Sequence, residues 1–176
     1  MEKKPLKKIS IQNIVDNCGL NRQTFYYHFR DKYDLVNWIY SNEVIANMLS
    51  YSDLEHWNEV FCSILIHMSN NKAFYTNALN TTGQNSFNDY FFEVTEELIL
   101  NVLEDLTEGM NISKEDKKFI SDFYSFAFIG LAIQWARNDM KEDPQVITAR
   151  LKEIVDGTML RIVSKYSKDS KNNYVE

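Results

Sequence analysis

The segment Cys18–Phe29, with the sequence CGLNRQTFYYHF, groups side chains that can hydrogen-bond to the bases of nucleic acids. Arginine can pair bidentately with guanine, and glutamine with adenine, when a helix presents them to the major groove. A helix capped by Asn21 places Phe25 and Phe29 one turn apart on one face and leaves its other faces free. The two phenylalanines are therefore predicted to anchor the helix. The predicted base-facing residues are Gln12, Arg22, Gln23 and Tyr27.

Other polar side chains in this region can bind the phosphate backbone, which positions a protein on DNA without selecting a sequence. The predicted phosphate-contacting residues are Thr24, Tyr26, His28 and Lys32. Residues 1–34 carry seven basic and four acidic groups, a balance of +3, whereas residues 35–176 carry 12 basic and 21 acidic groups, a balance of −9. A basic module joined to an acidic domain is typical of nucleic-acid-binding proteins. A chance cluster of solvated lysines is the alternative.

Helical periodicity extends along the whole chain, which contains only five glycines and two prolines, and this predicts an all-α fold. Ser10 caps a helix that ends at Gly19 and Asn21 caps the next helix, so that the two form a helix-turn-helix. Further helices are predicted at about 31–51, 53–69, 72–80, 86–107, 114–140 and 144–165. The predicted domains are a helix-turn-helix module at 1–40, a helical effector and dimerisation bundle at 41–166, and a flexible tail at 167–176.

The two predicted helices at 114–140 and 144–165 carry apolar residues on more than one side. A helix that is apolar on two sides must bury both of them. One side can face the core of its own chain, and the other is predicted to meet a second copy in a four-helix homodimer interface. A fully buried central helix in a monomeric bundle is the alternative. The predicted interface residues are Phe123, Phe126, Gly130, Ile133, Ile154, Met159 and Ile162.

The sequence lacks the residue groupings of an enzyme or a metalloprotein. His56 and His67 are eleven residues apart, roughly 16 Å along a helix at 1.5 Å per residue, which is too far to share an ion. Cys18 and Cys62 are isolated and are predicted to be reduced, with Cys18 in the core. No apolar run approaches the roughly 18 residues of a membrane span, and the first residues lack the apolar core of a signal peptide. We therefore predict a cytoplasmic, non-enzymatic protein with no metal, no cofactor and no membrane contact.

The stretch Ile9–Tyr40, ISIQNIVDNCGLNRQTFYYHFRDKYDLVNWIY, resembles the DNA-binding region of the TetR/AcrR family of bacterial transcriptional regulators. The shared pattern is a glycine-apolar turn and a recognition helix that ends in Tyr-x-x-Phe, followed shortly by a lysine and a leucine. These last four residues are Tyr26, Phe29, Lys32 and Leu35. Three shorter motifs, FYTNAL, GQNSF and GLAIQWARNDMKEDP, are similar to the subgroup that includes the dihydroxyacetone-kinase regulators.

The resemblance implies a homodimer that binds a pseudo-palindromic operator and is held together by its two C-terminal helices. It assigns phosphate contacts to Tyr26 and Lys32 and base contacts to the base-facing set. It also implies a small-molecule site among the C-terminal helices or, as in the dihydroxyacetone-kinase regulators, a protein partner. The pocket candidates are Phe61, Phe74, Tyr90 and Tyr124, for which an ordinary place in the aromatic core is the alternative.

One departure from the family pattern concerns the start of the chain. Family members have a further helix that packs across the helix-turn-helix, whereas MEKKPLKK precedes Ile9 here. The expectation is that most of this helix is lacking, that part of the surface of Ile14, Val15, Phe25 and Phe29 is exposed, and that the DNA-binding module is loosened. The alternative function is an effector- or partner-binding helical dimer whose shortened module does not bind DNA by itself.

Overall fold

The computed structural model describes residues 1, 4–47, 56–81 and 86–172, with side chains described up to residue 165 except at residue 47. The described residues form eight α-helices and two short 3₁₀ turns, Leu6–Lys8 and Ile45–Asn47, and contain no strand. The predicted all-α fold is confirmed. The helices are α1 (Ile11–Cys18), α2 (Arg22–His28), α3 (Lys32–Glu43), α4 (Trp57–Asn70), α5 (Lys72–Leu79), α6 (Phe87–Leu106), α7 (Lys114–Arg137) and α8 (Pro144–Asn172).

Three predicted helix ends differ from the structure. Helix α3 ends at Glu43, because the backbone turns there and buries both Val44 and Ile45 in the core. Helix α7 ends at Arg137, since Asp139 and Met140 adopt positive φ values of 65° and 49° that do not continue an α-helix. Helix α8 continues to Asn172, well beyond the predicted end at 165. Apolar periodicity stops near residue 163, but no glycine or proline follows Gly157 to end the backbone hydrogen bonding.

Some predictions concern residues outside the described part of the chain. These are the end of the predicted helix 31–51, the start of the predicted helix 53–69, the first three residues of the GQNSF motif and residues 173–176 of the predicted tail. The remainder of that tail, 167–172, belongs to α8.

Helices α4 to α8 form the body of the protein, whose core lies between paired helices, with α6 packed along α7 and α4 along α8. Helix α7 is apolar and long enough to cross a membrane by composition, with a mean hydropathy of 1.3. A helix in a protein core can be equally long and apolar, and 50% of the most apolar 18-residue stretch of α7 is buried inside the protein. Burial of this half accounts for part of the apolar character of α7.

Helix α3 connects the N-terminal helices to the body through a fully buried tyrosine. The Tyr40 ring meets Tyr75 of α5 and Phe87 and Phe91 of α6, with centroid separations of 6.2, 5.2 and 5.7 Å. Leu6 and Val36 belong to the same hydrophobic cluster as the body residues. The predicted domain boundary at residue 40 therefore falls within a shared core, and the division into two domains stays a prediction.

The expected exposure of the helix-turn-helix core is seen only in part. Val15 and Phe25 are only 1% and 5% exposed, and Ile14 and Phe29 are half-buried. These residues cover one another because α1 and α2 pack directly together. Cys18, predicted to lie in the core, is instead exposed at the last position of α1.

The buried hydroxyl groups of Tyr40 and Tyr75 lack hydrogen-bond partners among the described residues. Burial raises the pKa of Tyr40 well above its ordinary value of 10.0, and Tyr75 and Tyr90 raise it further. Burial, followed by the charge of Glu43, raises the pKa of Tyr75 in the same direction. Above a pH of about 10 the unfolded chain loses these protons while the folded chain keeps them, so stability falls as the pH rises.

We expect Tyr40→Phe to stabilise the protein at neutral pH by roughly 1 kcal/mol or more, because it removes a buried hydroxyl that has no partner. Above a pH of about 10, the same change should reduce the loss of unfolding free energy by about 1.4 kcal/mol per pH unit. Urea unfolding between neutral and alkaline pH measures both effects. Tyr27→Phe is the control, since Tyr27 is 85% exposed. An unchanged alkaline slope in Tyr40→Phe would contradict the expectation.

Candidate nucleic-acid interface

Two short helices and a glycine turn present the predicted base-facing residues. The Asn21 side chain caps α2 by accepting hydrogen bonds from the Thr24 amide at 2.8 Å and the Thr24 hydroxyl at 3.2 Å. Gly19 has a φ of 66°, and the following amide, that of Leu20, donates to the Val15 carbonyl at 2.9 Å. A residue with a side chain would be strained at this φ, so glycine sets the angle between the helices. The predicted helix-turn-helix is thus confirmed.

Aromatic contacts anchor α2 from one side. Phe25 is buried and meets Phe29 at a centroid separation of 5.6 Å, and Phe29 meets the edge of Trp38 on α3 at 5.6 Å. The predicted anchoring role of the two phenylalanines agrees with this chain of rings. Because one face of α2 is attached to α3, the opposite face is presented in a defined orientation.

The predicted base-facing side chains lie on the exposed surface of α1 and α2. Arg22, Gln23 and Tyr27 are all exposed. The Arg22 guanidinium donates from Nη2 to the Tyr26 hydroxyl at 3.3 Å, and its central carbon lies 5.8 Å from the centre of the Tyr26 ring. Gln12 is also exposed, but its Nε2 donates to Asp16 Oδ1 at 2.6 Å. Three of the four residues therefore lie together on α2, whereas Gln12 is paired on α1.

The predicted phosphate-contacting residues do not share one environment. Tyr26 and His28 are exposed on α2, and Thr24 is half-buried with its hydroxyl on Asn21. Lys32 lies at the start of α3, where its Nζ donates to the carbonyl oxygens of the segment Leu6–Ile9. Burial lowers the pKa of Lys32 below its ordinary value of 10.5; Asp31 opposes this shift and Lys4 adds to it.

The C-terminal helices expose an apolar strip. Phe119, Phe123 and Phe126 on α7 are all more than half exposed, as is Ile154 on α8. Leu160 is also exposed, but it follows Ile154 by six residues and therefore lies on another side of α8. Among the other predicted interface residues, Gly130 is exposed, and Ile133 and Ile162 are half-buried.

Met159 is a correction to the predicted interface, because it is only 3% exposed. Val155, four residues earlier, and Val163, four residues later, are also buried. Met159 thus lies on the side of α8 that faces the core. Met159 therefore belongs to the interior of the body.

One small apolar cavity of about 60 Å³ lies between α4, α6, α7 and α8. Of the four pocket candidates, Phe61 lines it. Phe74, Tyr90 and Tyr124 lie elsewhere: Phe74 faces the N-terminal segment, Tyr90 lies beside α3, and the Tyr124 hydroxyl pairs with the Thr158 hydroxyl at 3.0 Å. The four predicted pocket residues thus do not form one site.

Sequence reasoning missed Trp57 and Phe128 as cavity residues. Their rings stack at 5.5 Å with an interplanar angle of 11°, and Phe128 also stacks on Phe61 at 5.0 Å. The Trp57 Nε1 donates to Asp156 Oδ1 at 3.2 Å, which fixes the ring against α8. Helical spacing marks both residues only as apolar, so the sequence contains no signal that separates them from ordinary core residues. Within the described ranges, no three His, Cys, Asp or Glu side chains are grouped to hold a metal ion.

An exposed, anchored second helix of a helix-turn-helix, attached to an all-helical body, defines a DNA-binding transcriptional regulator. Two family models match the chain: one described as "Bacterial regulatory proteins, tetR family" over residues 1–39, and one described as "Transcriptional regulator C-terminal region" over residues 55–157. The chain belongs to the tetR family of bacterial regulatory proteins, whose members bind DNA and usually act as dimers. The predicted family is confirmed, and the chain is a regulator rather than an enzyme.

Known relatives agree with the predicted subgroup. The chain is 24% identical over 133 residues to the HTH-type dhaKLM operon transcriptional activator DhaS of Lactococcus lactis subsp. lactis (strain IL1403), covering 74% of this chain and 70% of that protein. The solved structure of a dihydroxyacetone kinase operon activator DhaS is similar with a TM-score of 0.64 and 20% identity, covering 89% of this chain and 88% of the other. At that identity the structural likeness supports the fold.

We expect Asn21→Ala to destabilise the protein by about 1 kcal/mol, because it removes the acceptor that caps α2. Hydrogen exchange should accelerate at the Thr24 amide, which donates to that acceptor. Urea unfolding and amide exchange measure the two effects. Asn21→Asp retains the acceptor and should leave both quantities near their original values. Equal destabilisation by the two substitutions would show that the cap is not responsible.

Proposed function

We propose that the chain binds a pseudo-palindromic DNA operator as a homodimer and that a small molecule or a partner protein acting on the C-terminal body controls this binding. The observation that carries the proposal is the exposure of Arg22, Gln23 and Tyr27 on a recognition helix whose opposite face is anchored by Phe25. A two-fold dimer would present two such helices to successive major grooves, and this symmetry requires a pseudo-palindromic site.

The proposed base contacts come from the exposed face of α2. Gln12 on α1 would add a further base contact once its hydrogen bond to Asp16 is broken. The proposed base contact of Arg22 is supported by its interaction with Tyr26. This interaction restricts the guanidinium before DNA binds and so reduces the conformational entropy lost on binding. Tyr26, His28 and Thr24 flank this set and are proposed to contact phosphates. These contacts should make affinity fall with salt concentration, since bound phosphates release their counterions.

We expect Arg22→Ala to reduce discrimination at one base pair of each half-site, at a cost of about 1–3 kcal/mol for the preferred base. Selection of binding sites from random duplexes with the full-length chain, followed by gel-shift titration, measures this preference. His28→Ala is the matched control in the same helix and should reduce the affinity for all DNA sequences by the same factor. An unchanged sequence preference in Arg22→Ala would refute the assignment. If the unaltered chain binds no duplex even at low salt, the alternative of a dimer without DNA-binding activity is favoured.

The proposed dimer interface is the apolar strip of α7 and α8. Three phenylalanines on one helix, each more than half exposed, form a larger apolar surface than isolated exposed residues do. Ile154 on the adjacent helix extends it. A second copy related by two-fold symmetry would cover these residues and complete a four-helix interface.

We expect Phe123→Glu to raise the dimer dissociation constant by at least about 100-fold, because a carboxylate would lose its hydration at the interface. Phe123 is 59% exposed in the single chain, so the substitution leaves the interior of the chain unchanged. Sedimentation velocity across a concentration series measures the constant. Ile66→Glu on the outer side of α4 is the control, since it changes another exposed apolar residue. A Phe123→Glu variant that dimerises as tightly as the original would place the interface elsewhere.

The proposed control element is the body around the 60 Å³ cavity. Among the described residues that line the cavity almost all are apolar, and the one polar residue, Thr95, already donates its hydroxyl to the Phe91 carbonyl at 2.7 Å. A small-molecule effector at this place would therefore be small and apolar, and a polar signal would act through a partner protein. The names of the relatives make genes for dihydroxyacetone kinase the first candidate targets for this regulator.

A further inference from the structure

The ammonium group of Lys32 is the centre of a three-way contact between α3 and the N-terminal segment. Its Nζ donates to the carbonyl oxygens of Leu6 at 2.7 Å, Lys7 at 3.1 Å and Ile9 at 2.8 Å. An ammonium group has three N–H donors and no acceptor. All three donors are therefore engaged within the chain, and a phosphate oxygen could bind Nζ only by replacing at least one of these charge-assisted bonds.

The three carbonyls belong to the segment that leads into α1. Leu6 is buried and belongs to the same hydrophobic cluster as Val36 of α3. Ile9 directly precedes Ser10, which caps α1 and forms a reciprocal capping box with Asn13. A second lysine reinforces this region, since Lys4 Nζ donates to Asn13 Oδ1 at 2.8 Å. The segment before α1 thus shares a buried hydrophobic cluster with α3 and is hydrogen-bonded to it through Lys32.

We propose that Lys32 is a positioning residue that fixes the start of α1 against α3, and with it the orientation of the helix-turn-helix, and that it does not contact the DNA phosphates. The proposal deepens the proposed operator binding, on which its DNA measurements depend. Lys7 and Lys8 lie in the same segment with exposed side chains, so the local positive charge that DNA meets does not require Lys32.

The test uses the full chain with Lys32→Met and Lys32→Arg. Arginine retains the charge that a phosphate contact needs, but its planar fork cannot direct three N–H groups at carbonyls converging on one nitrogen. The proposal therefore expects both variants to behave alike. The amides of Lys8, Ile9 and Ile14, which donate to Pro5, Leu6 and Ser10, should exchange at least about tenfold faster in both. Lys8→Met removes a neighbouring charge and should leave this exchange unchanged.

The DNA measurement is the salt dependence of binding to a random-sequence duplex. If Lys32 only positions α1, affinity falls by the same factor at every salt concentration, and the slope of log K against log salt is unchanged in Lys32→Met. A phosphate contact would instead lower the slope by about 0.9 in Lys32→Met and retain it in Lys32→Arg. That reduced slope, or full retention of affinity by Lys32→Arg, overturns the proposal.

The exchange measurement separates the two hypotheses if DNA binding itself is absent. A chain that binds no duplex would defeat the proposed function, whereas accelerated exchange in both variants would still support the positioning role. Unchanged exchange in Lys32→Arg would overturn that role whether or not DNA binds. Lys32→Arg also provides a readout if Lys32→Met fails to fold.

Discussion

The orientation of the recognition helix depends on the packing of one element, helix α3, against both the helix-turn-helix and the body. Lys32, the first residue of α3, donates hydrogen bonds to the carbonyl oxygens of the segment that precedes α1. Trp38 in its middle meets Phe29 at the end of α2. Tyr40 near its end is buried among the rings of α5 and α6. Because these contacts lie on one helix of twelve residues, the two helices of the DNA-binding module are held relative to the body by a rigid element.

This arrangement provides a path by which a conformational change in the body would alter DNA binding. Helix α6 contacts Tyr40 through Phe87 and Phe91 and also lines the apolar cavity through Thr95 and Ile99. It is therefore in contact with both the α3 anchor and the proposed site of control. A partner or effector that moved α6 would displace Tyr40 and rotate α3, and in a dimer this would change the distance between the two recognition helices. Ring packing transmits such movements because close-packed interiors deform little.

Much of the DNA-binding module was predictable because its signals are local. Ser10 and Asn21 cap the helices that follow them, and Gly19 adopts the left-handed conformation that its position required. The alternation of apolar and polar residues also indicated which side of α2 is anchored and which is exposed. The long helices of the body were predicted for the same reason, although apolar periodicity says nothing about where a polar continuation such as the end of α8 stops.

The sequence by itself determined the helical class, the helix-turn-helix, the exposed position of Arg22, Gln23 and Tyr27 on α2 and the family, because caps, turns and periodicity act within a few residues. Only the tertiary structure decided the position of each side chain relative to distant segments. It placed Met159 inside the body, separated the predicted pocket residues, and directed Lys32 toward carbonyls about 25 residues earlier in the chain rather than outward. Those outcomes depend on which surfaces meet when helices pack, and the free energy of that packing is shared among residues far apart in sequence.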